Sequence, residues 1–510
     1  MKRSNPTPHP IRPKDRLIGS KKAHPPGVSP ALYRILFIAA EFYPLVKVGG
    51  LADVAGSLPK ALASLGHSVR VVIPLYPEID PTALQTLRPV SSLMIAMPDG
   101  DEEAQILEGK AIGGVAITFI RSKRYFDREN VYGYSDDDER FVFFNKALVH
   151  AIEHLEWNPD VVHCNDWHSA LVPDLLEASQ NGDEQTPASV LTIHNLAHQG
   201  PFTSRTREAA GVGPEDLSLN LMARGILSAD VINTVSSRYA AEILTPKHGS
   251  GLDPLLRDRR ESFYGILNGL DYEEFSPSCD PHVAVQYDGD NPEKRRDNKH
   301  HLQTTYGLEV AADAPLVGMV CRLDDQKGLD LVAEAMHDLI RLGVQFIAMG
   351  LGAPKYVDLI HGYVSRYPGQ VIYCPTSDES VARKIYSGVD FILAPSKFEP
   401  CGLSPLIALR YGAIPIVRKT GGMAETIIDH HRTPGLGLGF VFEKKTAAGL
   451  LGAIRRALHT YRHPSEWKQL VARAMGADFS WEGPAQEYEI LYQHAIEKSR
   501  SRSKKRKRAG

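Results

Sequence analysis

Cysteine is scarce in this chain of 510 residues: Cys164, Cys279, Cys321, Cys374 and Cys401 are scattered without metal-ligand spacing and are odd in number. That argues against a complete disulfide framework and a cysteine metal module, and it fits a reducing, cytoplasmic compartment. Long apolar runs are missing as well; none has the length needed to cross a bilayer, so no membrane partner is expected. Neither a Gly-x-Gly-x-x-Gly fingerprint nor a phosphate loop of the Gly-Lys-Ser/Thr type is present. Residues 1–32 are Pro- and Lys-rich, with Lys21-Lys22 and Pro25-Pro26, and lack the apolar stretch of a secretory signal, so they read as a disordered basic arm.

Net charge is small, −3, but unevenly spread. Lys498 to Arg508 holds eight of the 58 basic residues, leaving 50 against 61 acidic ones in the rest of the chain. Residues 498–510 read as a solvated, disordered basic tail, and nucleic acid is not expected as a partner. Hydrophobic residues at 43 % and charged residues at 23 % are the balance of an ordinary globular protein, and the length calls for more than one core. Two domains are expected.

The run Arg34-Ile35-Leu36-Phe37-Ile38-Ala39-Ala40 is nearly all apolar, as a strand covered on both faces of a parallel sheet must be. A glycine loop, a helical pattern from Leu51 to Leu65 and a second apolar run at Val69 to Pro74 complete a βαβ unit. Val161-Val162-His163, Val190 to Ile193 and Asp230 to Val235 continue the series. Between Tyr264 and Lys299 turn-formers such as Asn268-Gly269, Ser276-Pro277 and Asn291-Pro292 replace the periodicity. A second series follows at Leu316 to Val320, Gln345 to Gly350, Phe391 to Ala394 and Ile414 to Val417. The expected architecture is α/β, with two Rossmann-like doubly wound domains at 33–270 and 301–478, a linker at 271–300 and a returning helix at 479–497.

In open α/β sheets ligands bind beyond the carboxyl ends of the strands, and four loops there carry chemistry. Lys47-Val48-Gly49-Gly50-Leu51-Ala52-Asp53 sets a mobile cation beside two glycines that allow close backbone approach. His163-Cys164-Asn165-Asp166-Trp167-His168 lacks metal-ligand partners and suits hydrogen bonding to sugar hydroxyls, with His168 favoured. Arg322 and Lys327, five residues apart on one loop, suit a diphosphate whose charge grows as it departs. Glu399, in Glu399-Pro400-Cys401-Gly402-Leu403, and the turn Thr420-Gly421-Gly422 complete a nucleotide-sugar pocket in which a carboxylate opposes oxocarbenium charge. Asp136-Asp137-Asp138 has the look of a metal-binding triplet but reads better as a solvated loop.

Together with Thr192-Ile193-His194-Asn195 and Asn268-Gly269-Leu270-Asp271, these stretches resemble bacterial glycogen synthase and plant starch synthase from about Arg34 to Tyr492. The resemblance implies a retaining glucosyltransferase of the GT-B type that moves glucose from ADP-glucose to the non-reducing end of an α-1,4-glucan, with no metal or cofactor. It implies catalytic roles for Glu399, His168, Arg322 and Lys327. It implies substrate contacts from Lys47, Gly49, Gly50, Asp53, Asn195, Cys401, Gly402, Leu403, Thr420, Gly421 and Gly422, and a final helix that crosses back onto the first domain. Four positions depart from the family pattern: Asn165 for a usual His, Glu425 for a usual Asp, Ala223-Arg224 for a Lys-containing pair, and Ser377 where the bacterial enzymes carry a Tyr that stacks on adenine. Transfer from UDP-glucose and a catalytically silent glucan-binding homologue therefore stay open, as does the oligomeric state.

Overall fold

The computed structural model describes residues 32–79, 87–154, 157–179, 186–213 and 220–509, so the N-terminal arm lies outside the described residues. Two sheets organise the chain. The first has nine strands in the spatial order Arg88–Met97, Gly100–Ile112, Val115–Arg121, Ser68–Pro74, Arg34–Ile38, Val161–Asn165, Ala188–Ile193, Val231–Thr234 and Phe263–Gly265. From Val115–Arg121 onward every pairing is parallel. The inner strands are buried along their length, which is why they read as unbroken apolar runs.

The two outer strands pair antiparallel and add a ribbon that the sequence reading did not anticipate. Exposed residues alternate with less exposed ones along the second half of Arg88–Met97, where even the apolar stretch Leu93–Met97 turns Met94 and Ala96 outward, so it has one wet face. The second sheet is all parallel, in the order Val371–Cys374, Gln345–Met349, Leu316–Val320, Phe391–Ala394, Ile414–Arg418 and Phe440–Phe442.

Loops at the carboxyl ends of both sheets meet each other. Asn195 Nδ2 lies 3.4 Å from Gln326 Oε1, Ser236 Oγ lies 2.7 Å from the Pro400 carbonyl, and Lys47 pairs with Glu379. The cleft between the lobes is thus walled by post-strand loops. The last helix, Glu482–Ala509, packs on the first sheet: Tyr492 and His163 Nδ1 are 2.9 Å apart, and Asn233 donates to the Tyr488 hydroxyl at 3.1 Å.

Three expectations change. The 271–300 segment is no free linker: Arg383, fully buried, reaches the Glu274 carboxylate at 2.7 Å and Asp280 at 3.4 Å, and the helix Arg295–Tyr306 begins inside it. Its polarity answers a buried guanidinium, a need that composition alone does not distinguish from solvation. The tail does not lose its structure at 498. The final helix runs on to Ala509, and Arg502 meets Asp230 at 3.2 Å and Glu177 at 3.5 Å, so part of its basic charge is matched by acids of the first lobe. The acid triplet is neither a solvated loop nor a metal site. Asp137 and Asp138 open the helix Asp137–His154, where carboxylates complement the positive helix end, and they face Arg140 and Thr206 while Asp136 pairs with Arg128 at 2.6 Å.

Candidate active site

In the first lobe, the chain leaves the strand Arg34–Ile38 and turns back on Glu41, which is 4 % exposed. One Glu41 oxygen accepts the Val48 and Gly49 amides at 2.7 Å each, and the other accepts the Tyr132 hydroxyl at 2.8 Å. A buried carboxylate therefore fixes the Lys47–Gly50 loop. Lys47 Nζ bonds Asp53 Oδ1 at 2.8 Å and reaches Glu379 on the second lobe. Burial weakens its hold on the proton, but the two carboxylates outweigh that and keep the ammonium charged. The Asp53 carboxyl is pushed up to about 6, burial prevailing over the attraction of Lys47. Gly50 abuts the second lobe: a Cβ there would stand 3.3 Å from Leu403 Cδ1, so the starts of the helices Gly50–Ser64 and Leu403–Arg410 face each other closely.

Asp166 follows the strand Val161–Asn165 with φ 54° and ψ −175°, a strained backbone region that residues other than glycine rarely occupy. Its Oδ1 accepts the amides of His194 at 2.7 Å and Asn195 at 3.3 Å, and burial pushes the carboxyl up to about 7. His168 is buried, its ring stacked on Tyr132 with centroids 4.8 Å apart and set edge-on to Phe141. Burial holds this imidazole neutral, and among the described residues its Nδ1 has no partner. A ring with one unmatched nitrogen is equipped to bind a hydroxyl. Tyr132 touches both Glu41 and His168, so the glycine loop and the histidine share one wall.

In the second lobe, Glu399 Oε2 accepts Lys327 Nζ at 2.7 Å and Ser396 Oγ at 2.9 Å. Burial works against the Lys327 charge, and the Glu399 carboxylate more than restores it. Gly328, at φ 73°, lets the lysine turn press on the loop before Glu399: a Cβ there would lie 2.3 Å from the Pro395 carbonyl oxygen. Gly421 does the same from beneath, with φ 46° and a hypothetical Cβ 1.7 Å from the Glu399 carbonyl oxygen. Cys401 is buried, and burial pushes its thiol up to about 12, so its side chain is packing, not chemistry.

The turn Thr420-Gly421-Gly422 differs from its sequence reading in one respect. Its amides are taken up within the protein: Gly422 donates to the Glu399 and Pro400 carbonyls at 3.2 and 3.1 Å, and Gly421 donates to Glu242 of the first lobe. Its glycines serve close packing under Glu399. Arg322 stands apart from this cluster. Its guanidinium is half exposed, 3.5 Å from Asp324, and its charge adds to burial, the larger cause, in lowering the proton affinity of His198 on the first lobe.

The expected residues thus fall into a first-lobe group of Lys47, Gly49, Gly50, Asp53, His168 and Asn195 and a second-lobe group of Lys327, Glu399, Cys401, Gly402, Leu403, Thr420, Gly421 and Gly422. Arg322 lies at the margin. Sequence reasoning missed Glu41, Ser236, Glu242 and the role of Glu379. Only Glu41 left a signal, a lone acid within an apolar run. Lys327 beside the Glu399 carboxylate, with Arg322 at the margin of the same lobe and a neutral imidazole on the first, can attract an anionic leaving group while hydrogen-bonding a polyhydroxylated ring.

The model of the starch synthase catalytic domain matches residues 34–258, and that of group 1 glycosyl transferases matches residues 307–472. The chain is 43 % identical over 482 residues to a glycogen synthase of Moorella thermoacetica, covering 92 % of this chain and 98 % of the relative. A glycogen synthase of Desulforudis audaxviator is 42 % identical, with 91 % and 97 % covered. The catalytic domain of Starch Synthase IV from Arabidopsis thaliana, solved with ADP and acarbose, matches with a TM-score of 0.87 at 31 % identity, covering 92 % of this chain and all of that one. With both lobes matched in order and nearly the whole chain covered, this protein belongs to the glycogen and starch synthase family of GT-B glucosyltransferases.

Proposed function

We propose that this enzyme transfers glucose, with retention, from ADP-glucose to the non-reducing end of an α-1,4-glucan, as a cytoplasmic step of glycogen biosynthesis. The observation that carries this reading is the Lys327–Glu399 pair at 2.7 Å on the cleft wall, with Arg322 on the same side. The Arabidopsis relative, solved with ADP and acarbose, supports a nucleoside diphosphate and a glucan as the two ligands.

In this reading Arg322 and Lys327 hold the diphosphate, and the charge that develops as the bond from the anomeric carbon to oxygen breaks is met by fixed cations. Glu399, paired with Lys327, faces the sugar and opposes oxocarbenium charge, while the free His168 nitrogen binds a hexose hydroxyl. The acceptor hydroxyl attacks on the face the diphosphate is leaving, and its proton passes to a phosphate oxygen. The new glycosidic bond replaces the phosphoester bond, and ADP carries the proton and the charge away.

One observation favours a second reading of the donor. Ser377 is exposed and offers no aromatic face to the base, a loss of about 1–3 kcal/mol of stacking. The test is incorporation of labelled glucose from ADP-glucose into glycogen in competition with unlabelled UDP-glucose. Incorporation that survives equimolar UDP-glucose supports the ADP reading. Equal use of the two donors overturns it while leaving glucan synthesis intact, and no incorporation by folded protein favours the silent homologue.

A further inference from the structure

The short helix Ser237–Ile243 of the first lobe reaches the loops around Glu399 at three points. Its cap residue Ser236, fully buried, donates its hydroxyl to the Pro400 carbonyl at 2.7 Å. The Arg238 amide donates to the Glu425 carboxylate. Glu242 accepts the Thr420 hydroxyl at 3.2 Å and the Gly421 amide at 3.2 and 3.3 Å, while Arg238 Nε steadies the same carboxylate at 3.0 Å.

The cross-lobe contacts land on Glu399's own loop, on the turn under it, or on the short helix Met423–Thr426 that continues that turn. Pro400 follows Glu399 directly, and the Gly421-Gly422 turn packs on the Glu399 carbonyl. Hydrogen bonds of this length fail when the partners part by about 1 Å, so the set exists only while the lobes are together. The chain's departure at Glu425 belongs to it, since the extra methylene of Glu over Asp extends the carboxylate toward the Arg238 amide.

We propose that this helix couples cleft closure to the shape of the catalytic loop. Ser236 and Glu242, with Glu425 opposite them, are positioning residues: they set the Glu399 loop from the other lobe and do so only in the shut state. The inference rests on the reading of Glu399 as a residue of the glucosyl-transfer site. Misplacing such a loop by about 1 Å costs on the order of a hundredfold in rate, so loss of the clamp acts on turnover more than on binding.

The test compares the full chain with its Glu242→Ala, Glu242→Gln and Glu425→Asp variants by steady-state kinetics with ADP-glucose and glycogen, calorimetric binding of ADP, and small-angle scattering of the ligand-free proteins. Glu242→Ala is expected to lower kcat by about tenfold to a hundredfold, with ADP affinity within about threefold of the parent and a larger radius of gyration. Glu242→Gln, whose amide oxygen still accepts the Gly421 N–H, recovers most of the rate. Unchanged kcat overturns the proposal. So does tighter ADP binding at unchanged kcat, which would make Glu242 a carboxylate that the diphosphate displaces. If Glu242→Ala does not fold, Glu425→Asp, altered at an exposed residue, carries the same comparison. If the parent makes no glucan from any nucleoside diphosphate glucose, the functional reading fails by itself and scattering decides the clamp: expansion of Glu242→Ala supports it, and superimposable curves overturn it.

Discussion

Lys327 Nζ lies 2.7 Å from Glu399 Oε2, and both side chains are largely buried, so the acid of the Glu399-Pro400-Cys401-Gly402 motif is half of an ion pair. Removing one partner of such a pair leaves the other charge uncompensated. Lys327→Ala should lower kcat by about 10²- to 10³-fold and stability by about 3 kcal/mol. Lys327→Met combined with Glu399→Gln should regain most of the stability and none of the activity. Thermal denaturation and steady-state kinetics on the parent and these two variants separate the two effects.

Glu41 holds the loop that carries Lys47. Glu41→Ala leaves the Val48 and Gly49 amides and the Tyr132 hydroxyl without their acceptor. A cost of about 1–3 kcal/mol in stability is expected, together with a raised KM for donor. A variant as stable as the parent with unchanged KM would show that the loop is held by other means.

Asp166 gives stability a dependence on pH whose sign is fixed. Its carboxyl is pushed from the ordinary 3.8 up to about 7 in the folded protein, chiefly by burial. Between those two values the native state keeps a proton that the unfolded chain releases, so stability falls as pH rises through that window, and the loss is complete above about 7. Asp166→Asn keeps an oxygen for the His194 and Asn195 amides and removes the titration. The gain over the parent should appear progressively as pH rises from 4 to 8 and reach at most about 4 kcal/mol. Tm measured across that range checks it, and parallel curves for the two proteins would refute it.

Glycines of this fold do not have equal weight. Gly421→Ala would set a Cβ 1.7 Å from the Glu399 carbonyl oxygen at a positive φ, and it should abolish activity and destabilise the second lobe. Gly452→Ala, within the helix Ala447–Tyr461 with nothing inside 4 Å, should stabilise by about 0.5–1 kcal/mol and leave kinetics unchanged. Chemical denaturation of both variants measures the contrast.

What the sequence disclosed was whatever acts locally. Strands such as Arg34–Ile38 and Leu316–Val320 are apolar because both their faces are covered, and that pattern is legible without partners. Lys47, Lys327 and Glu399 stood out because glycines flank them. The antiparallel ribbon escaped because half its residues face water, and the 271–300 segment and the tail misled because polar residues that answer Arg383, Asp230 or Glu177 have the composition of polar residues that answer solvent. Glu242 was invisible for a different reason: its partners Thr420 and Gly421 are far along the chain, and no local period marks an acid that works across a cleft.

The central claim is that the Lys327–Glu399 cleft builds α-1,4 bonds from ADP-glucose, and the product tests it most directly. Glycogen incubated with the protein and labelled ADP-glucose, then digested with an exo-acting enzyme specific for α-1,4 bonds at non-reducing ends, should release its label as maltose, and the Glu399→Ala variant should incorporate almost none. Label that resists the digestion, or equal incorporation by the Glu399→Ala variant, would contradict it.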